Sequence, residues 1–361
     1  MIRVMVVDDS PLVRRIASDI LSSDREITVA ATASTAEFAL QKLESEHPQV
    51  ITMDLEMPGM GGLEAISQIM RRRPTPIILF SAFAQRGAEL TLQALDRGAV
   101  DFIAKPNASL SGGIAAIATE LIEKVKQASK IDVDLLGRKH VEASPTSRSA
   151  PRWSKGISQH AGRLSYDLVA IGTSTGGPVA LKTVLQKLPE DFPIGIVVVQ
   201  HMPPIFTKAF AERLDSLCEV SVKEAEDGDE ILPGRVLIAP GDFHMTITQY
   251  HSGPKAVLSQ WEPVNGHRPS VDVLMHSVAR EYGDRVIGVI MTGMGKDGAE
   301  GIRELKQKGG YVIAQDKDSS VIFGMNREVI KNGDADRVAG VTDIADGLLE
   351  CLQRNEAPVE G

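Results

Sequence analysis

Short apolar runs alternate with amphipathic stretches along the first 130 residues. Ile2–Val7 is an apolar run ending in acids, which predicts a strand. Pro11–Ser22 follows, with Leu12, Ile16, Ile20 and Leu21 spaced to share one helical face. The same reading predicts strands at Thr28–Ala31, Val50–Met53, Ile77–Phe80 and Asp101–Ile103. Between and after them it predicts helices at Thr35–Glu44, Gly62–Arg71, Leu90–Asp96 and about Gly113–Ser129. Five such strand–helix pairs mean a small parallel sheet covered on both faces.

A second α/β pattern starts at Tyr166. Its predicted strands are the runs DLVAIG and IGIVVVQHM, then Arg235–Ala239, Met245–Gln249, Ala256–Ser259, Arg285–Thr292 and Tyr311–Ala314. Its predicted helices are Gly177–Leu188, Phe206–Leu217, Val271–Tyr282, Gly298–Lys308, and stretches near Ile322–Asn332 and Ile344–Arg354. Between the two patterns, Ser, Pro, Lys and Arg accumulate. Residues 138–163 hold six Lys/Arg against one acid, Glu142, a composition that buries little apolar surface and reads as a solvated tether.

Bulk properties narrow the function. A net charge of −9 argues against an electrostatic grip on nucleic acid or anionic lipid. Cys218 and Cys351, two isolated thiols, form neither a disulfide framework nor a zinc ligand set, and suit a reducing compartment. The N-terminal run turns acidic within ten residues, unlike a signal peptide, and no apolar run reaches the length of a membrane span. The expectation is a cytoplasmic protein, without direct membrane insertion and without a nucleic-acid partner.

The first candidate chemistry is carboxylate-based. Asp8 and Asp9 follow the first strand and Asp54 follows the third. In a parallel sheet these turns lie side by side at the carboxyl edge. Crowded carboxylates repel unless a divalent cation neutralises them, and oxygen-only ligands suit Mg²⁺. Ser81 ends the next strand and Lys105 follows the last, placed to bind a phosphoryl group, while Phe102 can change rotamer between states. Each residue alone has a plain structural reading, such as a helix cap or a turn. The order DD, D, S, KP is similar to the response-regulator receiver domain. That resemblance implies that Asp54 accepts a phosphoryl group from a histidine kinase. It also implies that Asp8, Asp9, Asp54 and the Glu56 carbonyl hold Mg²⁺, with Ser81, Phe102 and Lys105 as the switch.

The second is nucleophilic. Gly172-Thr-Ser-Thr-Gly-Gly177 follows a strand directly, and its glycines permit a sharp turn that lifts Ser174 to the mouth of a helix. A serine needs a base. His201 ends the next strong strand, and Asp297 follows the strand Arg285–Thr292 in a Gly-rich turn. Each alone reads as a cap or a helix start; together they fit a Ser–His–Asp triad. Their chain order differs from the Ser–Asp–His of ordinary α/β-hydrolases, and His267 and His276 lie in or near a helix instead of at a strand end.

The segments GTSTGGP, VQHMPPIFTKAFAERL, IAPGDFHM, HRPSVDVL, VIMTGMGKDGAEG and VIAQDKDSSVIFGM resemble the chemotaxis protein-glutamate methylesterase (CheB) family. The resemblance places the triad on Ser174, His201 and Asp297, with oxyanion donors in backbone amides near Thr175 and at Met294. HRPSVDVL would line the cleft, although Ser270 and Asp272 also fit a plain helix start. Lys296 stands where the family often has Asn, and Asn326 where Pro is common.

The fold class that follows is α/β, with a flavodoxin-like receiver over 1–125 and a linker over 126–164. A doubly wound, mostly parallel methylesterase catalytic domain covers 165–356. The implied partners are methyl-accepting chemoreceptors as substrate and a chemotaxis histidine kinase as phosphodonor; the esterase reaction itself needs no cofactor. The expected control is an unphosphorylated receiver lying across the cleft at Ser174, displaced or re-docked when Asp54 is phosphorylated. Competing readings are a receiver fused to a non-catalytic adaptor, a transcription regulator, and an esterase or amidase of small molecules. The triad speaks against the first, and the lack of a helix-turn-helix signal against the second.

Overall fold

The computed structural model describes residues 1–81, 84–105, 113–133 and 165–353. Most of the expected linker, 134–164, lies outside these. The chain divides into two compact units, residues 1–147 and 148–361.

The first unit is a five-stranded parallel sheet of β1 (Ile2–Val7), β2 (Ile27–Ala33), β3 (Val50–Asp54), β4 (Ile77–Ser81) and β5 (Asp101–Ala104), in the order β2-β1-β3-β4-β5. Its helices are α1 (Pro11–Ser22), α2 (Ala36–Glu46), α3 (Gly62–Arg72), α4 (Gln85–Asp96) and α5 (Gly113–Ala128). α1 packs with α5, while α3 packs with α2 and α4. Every residue of β3 is buried, as a central strand between two helical layers must be. Ser10 and Thr35 start α1 and α2 by accepting the backbone N–H three residues on. α4 begins five residues before its expected start, because Ala84 offers no side-chain cap to mark the boundary.

One expectation about α1 is corrected. Its buried residues are Ala17 and Leu21, while Leu12 is 66% and Ile16 36% exposed. The apolar period identified a helix, but the core-facing stripe is rotated onto the small Ala17. The small Ala17 is buried there, whereas the larger Ile16 faces outward.

The second unit has a seven-stranded sheet, parallel throughout, in the order β14-β13-β12-β6-β7-β9-β8. Its strands are β6 (Leu168–Thr173), β7 (Gly195–Gln200), β8 (Ser221–Glu224), β9 (Arg235–Ile238), β12 (Val286–Ile290), β13 (Tyr311–Gln315) and β14 (Arg337–Ala339). An antiparallel hairpin, β10 (His244–Tyr250) with β11 (Gly253–Ser259), stands apart from that sheet. The helices are α6 (Gly177–Leu185), α7 (Phe206–Asp215), α8 (Val271–Tyr282), α9 (Ala299–Gln307), α10 (Met325–Lys331) and α11 (Ile344–Gln353). α8 packs between the hairpin and α9, and its Leu274, Met275 and Val278 join Met245, Ile247, Ile290 and Ile302 in one buried cluster. Each such side chain contributes about 1.5–3 kcal/mol on leaving water.

Both edge strands, β8 and β14, escape the hydrophobic pattern. Each has one buried residue at most beside half-exposed and exposed ones. An edge strand has one neighbour and partial cover, so its sequence need not be apolar. The central strands β6 and β7 are buried at all positions and were legible for that reason.

β6 is the strand from which the chain winds both ways, with β7 on one side and β12 on the other. The crevice at the carboxyl ends beside such a strand is where open α/β sheets bind ligands.

Candidate active site

The turn after β6 places Ser174 in this crevice. Ser174 N–H donates to the Thr292 carbonyl (3.0 Å) and Gly177 N–H to the Ser174 carbonyl (2.7 Å), which closes the turn into α6. Gly176 takes φ 78°, and a Cβ there would lie 2.5 Å from Val321 Cβ, so both backbone and space require glycine. Gly293 serves the same turn from β12: a Cβ on it would meet Ser174 Cβ at 2.9 Å and Met325 Sδ at 2.3 Å.

His201 follows β7, its N–H bonded to the Thr173 carbonyl at 3.2 Å. Its Nδ1 lies 3.2 Å from Ser174 Oγ, and its Nε2 lies 2.8 Å from Asp297 Oδ2. The three predicted residues therefore meet in one line, from the ends of three neighbouring strands. Asp297 is almost fully buried and collects four further donors. Val271 N–H reaches Oδ2 at 2.7 Å; Ser270 Oγ–H (2.8 Å), Asn265 Nδ2 (2.9 Å) and Asp272 N–H (3.3 Å) reach Oδ1. Burial alone would push its pKa up. The hydrogen bond and charge of His201, with the Asn265 and Val271 donors, outweigh that and hold it well below the usual carboxylate range. An ionised carboxylate only accepts, so Nε2 carries the ring proton and Nδ1 presents its lone pair to the serine.

Thr175 is buried, with its carbonyl receiving the Thr292 hydroxyl at 2.9 Å. Met294 is half-buried, and its N–H has no hydrogen-bond partner among the described residues. That is the condition of an amide free to meet an oxyanion.

Several residues at the site escaped the sequence reading. Gln200, buried at the end of β7, donates Nε2 to the carbonyls of Ser174 and His201, both at 3.0 Å, and so ties the two catalytic turns together. A polar residue ending an otherwise apolar run was the available signal. His267, the first residue of the HRPSVDVL segment expected to line the cleft, stacks on His201, and Asn265, just before that segment, bridges Asp297 and Asp272. The dipeptide Asn265-Gly266, a tight-turn signature, was the signal there. His244 is fully buried, accepting Ser270 N–H at Nδ1 (3.2 Å), with Nε2 3.1 Å from the Glu262 carbonyl. Ser270 serves both readings open in the sequence: it caps α8 and donates to Asp297. His276 lies away from the triad, paired with Glu304 at 2.6 Å.

In the first unit, one carboxylate oxygen each from Asp8, Asp9 and Asp54 lies within 4.8 Å of the others. Lys105 Nζ bonds Asp54 Oδ2 at 2.7 Å and pairs with Asp8 Oδ2 at 3.1 Å. The latter contact lacks hydrogen-bond alignment, so Asp8 Oδ2 is buried without a hydrogen bond. Burial raises the Asp8 pKa despite Lys105. Burial opposes the charge of Lys105 too, but the hydrogen bond to Asp54 and the attraction of Asp54 and Asp8 prevail and raise its pKa. Three carboxylates, one of them with an orphaned buried oxygen, against one lysine is an oxygen-only donor set that fits a small divalent cation such as Mg²⁺. Glu56 is near, its N–H donating to Asp54 Oδ1 at 3.2 Å. Ser81 ends β4, paired in register with Ala104 of β5. Phe102 is buried, beneath Lys124 Nζ at 5.6 Å from its ring centroid.

Residues 169–348 match the family model for CheB methylesterase, and residues 4–111 that for the response regulator receiver domain. The chain is 43% identical to a protein-glutamate methylesterase/protein-glutamine glutaminase of Pectobacterium atrosepticum, over 99% of this chain and 98% of that one. It is 41% identical to a protein of the same name from Pyrococcus horikoshii, over 98% and 94%. The crystal structure of the Thermotoga maritima CheB methylesterase catalytic domain is 48% identical, with a TM-score of 0.51, covering 51% of this chain and 98% of that one.

Proposed function

The chain belongs to the CheB methylesterase family, with a response-regulator receiver ahead of the hydrolase, and from that premise we propose a Ser174–His201–Asp297 triad that demethylates chemoreceptors under control of Asp54. The observation that carries this reading is the unbroken line from Ser174 Oγ through His201 to Asp297.

In this mechanism His201 Nδ1 takes the Ser174 proton as Oγ attacks the γ-carbonyl of a glutamyl methyl ester. The amides of Thr175 and Met294 receive the oxyanion. The bond to the methoxy group breaks, His201 returns its proton, and methanol leaves. Water then attacks the acyl-enzyme, giving its proton to His201, and releases glutamate and the free serine. Asp297 stays ionised throughout and stabilises the imidazolium. A glutamine side chain presents the same carbonyl with ammonia as leaving group, so deamidation follows the same path.

In the receiver, Asp8, Asp9, Asp54 and the Glu56 carbonyl would hold Mg²⁺, which when bound neutralises charge on the phosphoryl oxygens. The Asp54 carboxylate attacks the phosphorus of a kinase phosphohistidine, forming an O–P bond as the N–P bond breaks. Lys105, already within 2.7 Å of Asp54, exchanges part of that contact for the phosphoryl group, and Ser81 and Phe102 respond. The receiver spans 1–125, the linker 126–164 and the catalytic domain 165–356 in this proposal, and the protein works in the cytoplasm.

The test is methanol release from a methylated receptor preparation, with and without a phosphodonor and Mg²⁺. Stimulated release is expected. Turnover of small esters alongside an untouched receptor would instead favour a general esterase.

A further inference from the structure

The tight turn Val264–His267 carries a polar group placed between two buried acids. Val264 and His267 pair backbone to backbone, N···O 3.1 and 2.9 Å, and the residues between them, Asn265 and Gly266, have φ of 54° and 79°. Asn-Gly favours a two-residue turn with both central φ positive. The turn delivers Asn265 Nδ2 to Asp297 Oδ1 at 2.9 Å and to Asp272 Oδ2 at 2.7 Å. Both amide hydrogens are thereby used. Asp272 is itself buried in the first turn of α8, with its Oδ1 held by Gly301 N–H at 2.8 Å.

We propose that Asn265 is a positioning residue for the triad: one NH₂ group bound to both carboxylates keeps Asp297 aimed at His201 and shields it from the charge of Asp272. The inference rests on the triad reading above. Two anions that share one bridging donor repel each other across it, and low dielectric strengthens that repulsion. Burial and the charge of Asp297 both push the Asp272 pKa up, against the Gly301 and Asn265 bonds that lower it. The Asn265 bond thus acts in favour of an ionised Asp272, against burial and the neighbouring charge of Asp297.

Other titratable groups stand around this cluster, and Lys296 precedes Asp297 in the chain. His201 lies on Asp297 Oδ2, His267 is stacked on His201, and His244 holds Ser270. His276, paired with Glu304, acts on Asp272 from α8, and Arg268 is engaged by Asp242.

Three variants of the full chain test the proposal, with kcat and KM for methanol release measured across pH. Asn265→Gly keeps the positive-φ turn and removes the amide. It should lower kcat about 10-fold or more with KM little changed, because a small misplacement of the base is costly. Asn265→Asp also tolerates the turn but adds a third carboxylate. It should move the acidic limb of kcat/KM up by about one pH unit or more, since added negative charge holds the imidazole proton to higher pH. Asn265→Asp combined with Asp272→Asn exchanges amide and acid across the same gap and should bring the limb back. A merely structural residue would lower the folded fraction, read by circular dichroism, and leave the limb in place. Wild-type kcat in Asn265→Gly, or a limb that does not respond to Asn265→Asp or does not return in the double variant, overturns the proposal. Turnover that survives Ser174→Ala overturns the triad reading and this inference with it; an inactive Ser174→Ala beside unaffected Asn265 variants overturns this inference alone.

Discussion

The imidazole of His267 lies flat on that of His201, ring centroids 3.8 Å apart and planes 12° from parallel. The stack fixes the plane of a ring that must keep one nitrogen on a hydroxyl and the other on a carboxylate. His267→Ala should therefore lower kcat about 10-fold by freeing that ring. His267→Phe, which keeps a flat surface, should retain most of the activity. Steady-state methanol release distinguishes the two; equal losses would show that the flat surface is not what matters.

Removing triad members should have unequal effects. Ser174→Ala or His201→Ala should each cost about 10⁶-fold in kcat, and Asp297→Asn about 10⁴-fold. Combining Ser174→Ala with His201→Ala should add almost nothing, because the two act as one unit. Single-turnover assays on methylated receptor read all three.

The receiver should be stabilised by Mg²⁺, and more by Asp8→Asn at neutral than at acid pH. The Asp8 pKa is raised in the folded state. Its ionised form thus opposes folding, so stability is lost as pH rises from the unfolded value, about 3.9, through the folded one. Asp8→Asn removes that loss and should raise the thermal midpoint at pH 7 but not at pH 3, while weakening the Mg²⁺-induced shift. Asp54→Asn should abolish stimulation by a phosphodonor. Thermal melts and methanol release check these.

His244 is held below the ordinary histidine range, chiefly by burial, with the charge of Arg268 adding to it against the Glu262 carbonyl bond. The unfolded chain takes up that proton first, near pH 6.5, so stability should fall as pH drops through and below this value. His244→Gln, which can still accept from Ser270 and donate to Glu262, should flatten this part of the pH–stability curve. Urea melts at pH 5 and 7.5 measure it.

Ile205, four residues after His201, has φ 74° and ψ −44°, a region that disfavours a β-branched residue. The residue is 37% exposed, so packing offsets the strain only in part. Ile205→Gly should stabilise the catalytic unit by about 1 kcal/mol, seen as a higher denaturation midpoint. A lower midpoint would mean that the side chain contributes more than the backbone loses.

The parts of the protein that follow from local pattern were legible in the chain. β6 and β7 are apolar because both faces are covered, α8 is bounded by Ser270 and Gly283, and Ser174 is announced by its flanking glycines. The half-exposed strands β8 and β14 were not legible, and neither was the rotation of α1 onto Ala17, since neither depends on a strong local period. Sequence alone thus determined the element types, the α/β class and the three residues of the candidate triad, because strand ends, glycine turns and acid–base types are encoded within a few positions. Only the tertiary structure decided which ring nitrogen faces which partner, that Asn265 spans two acids, and that His244, Gln200 and His267 surround them. Those relations join segments tens of residues apart through strand order and loop course, and no short stretch of chain carries that information.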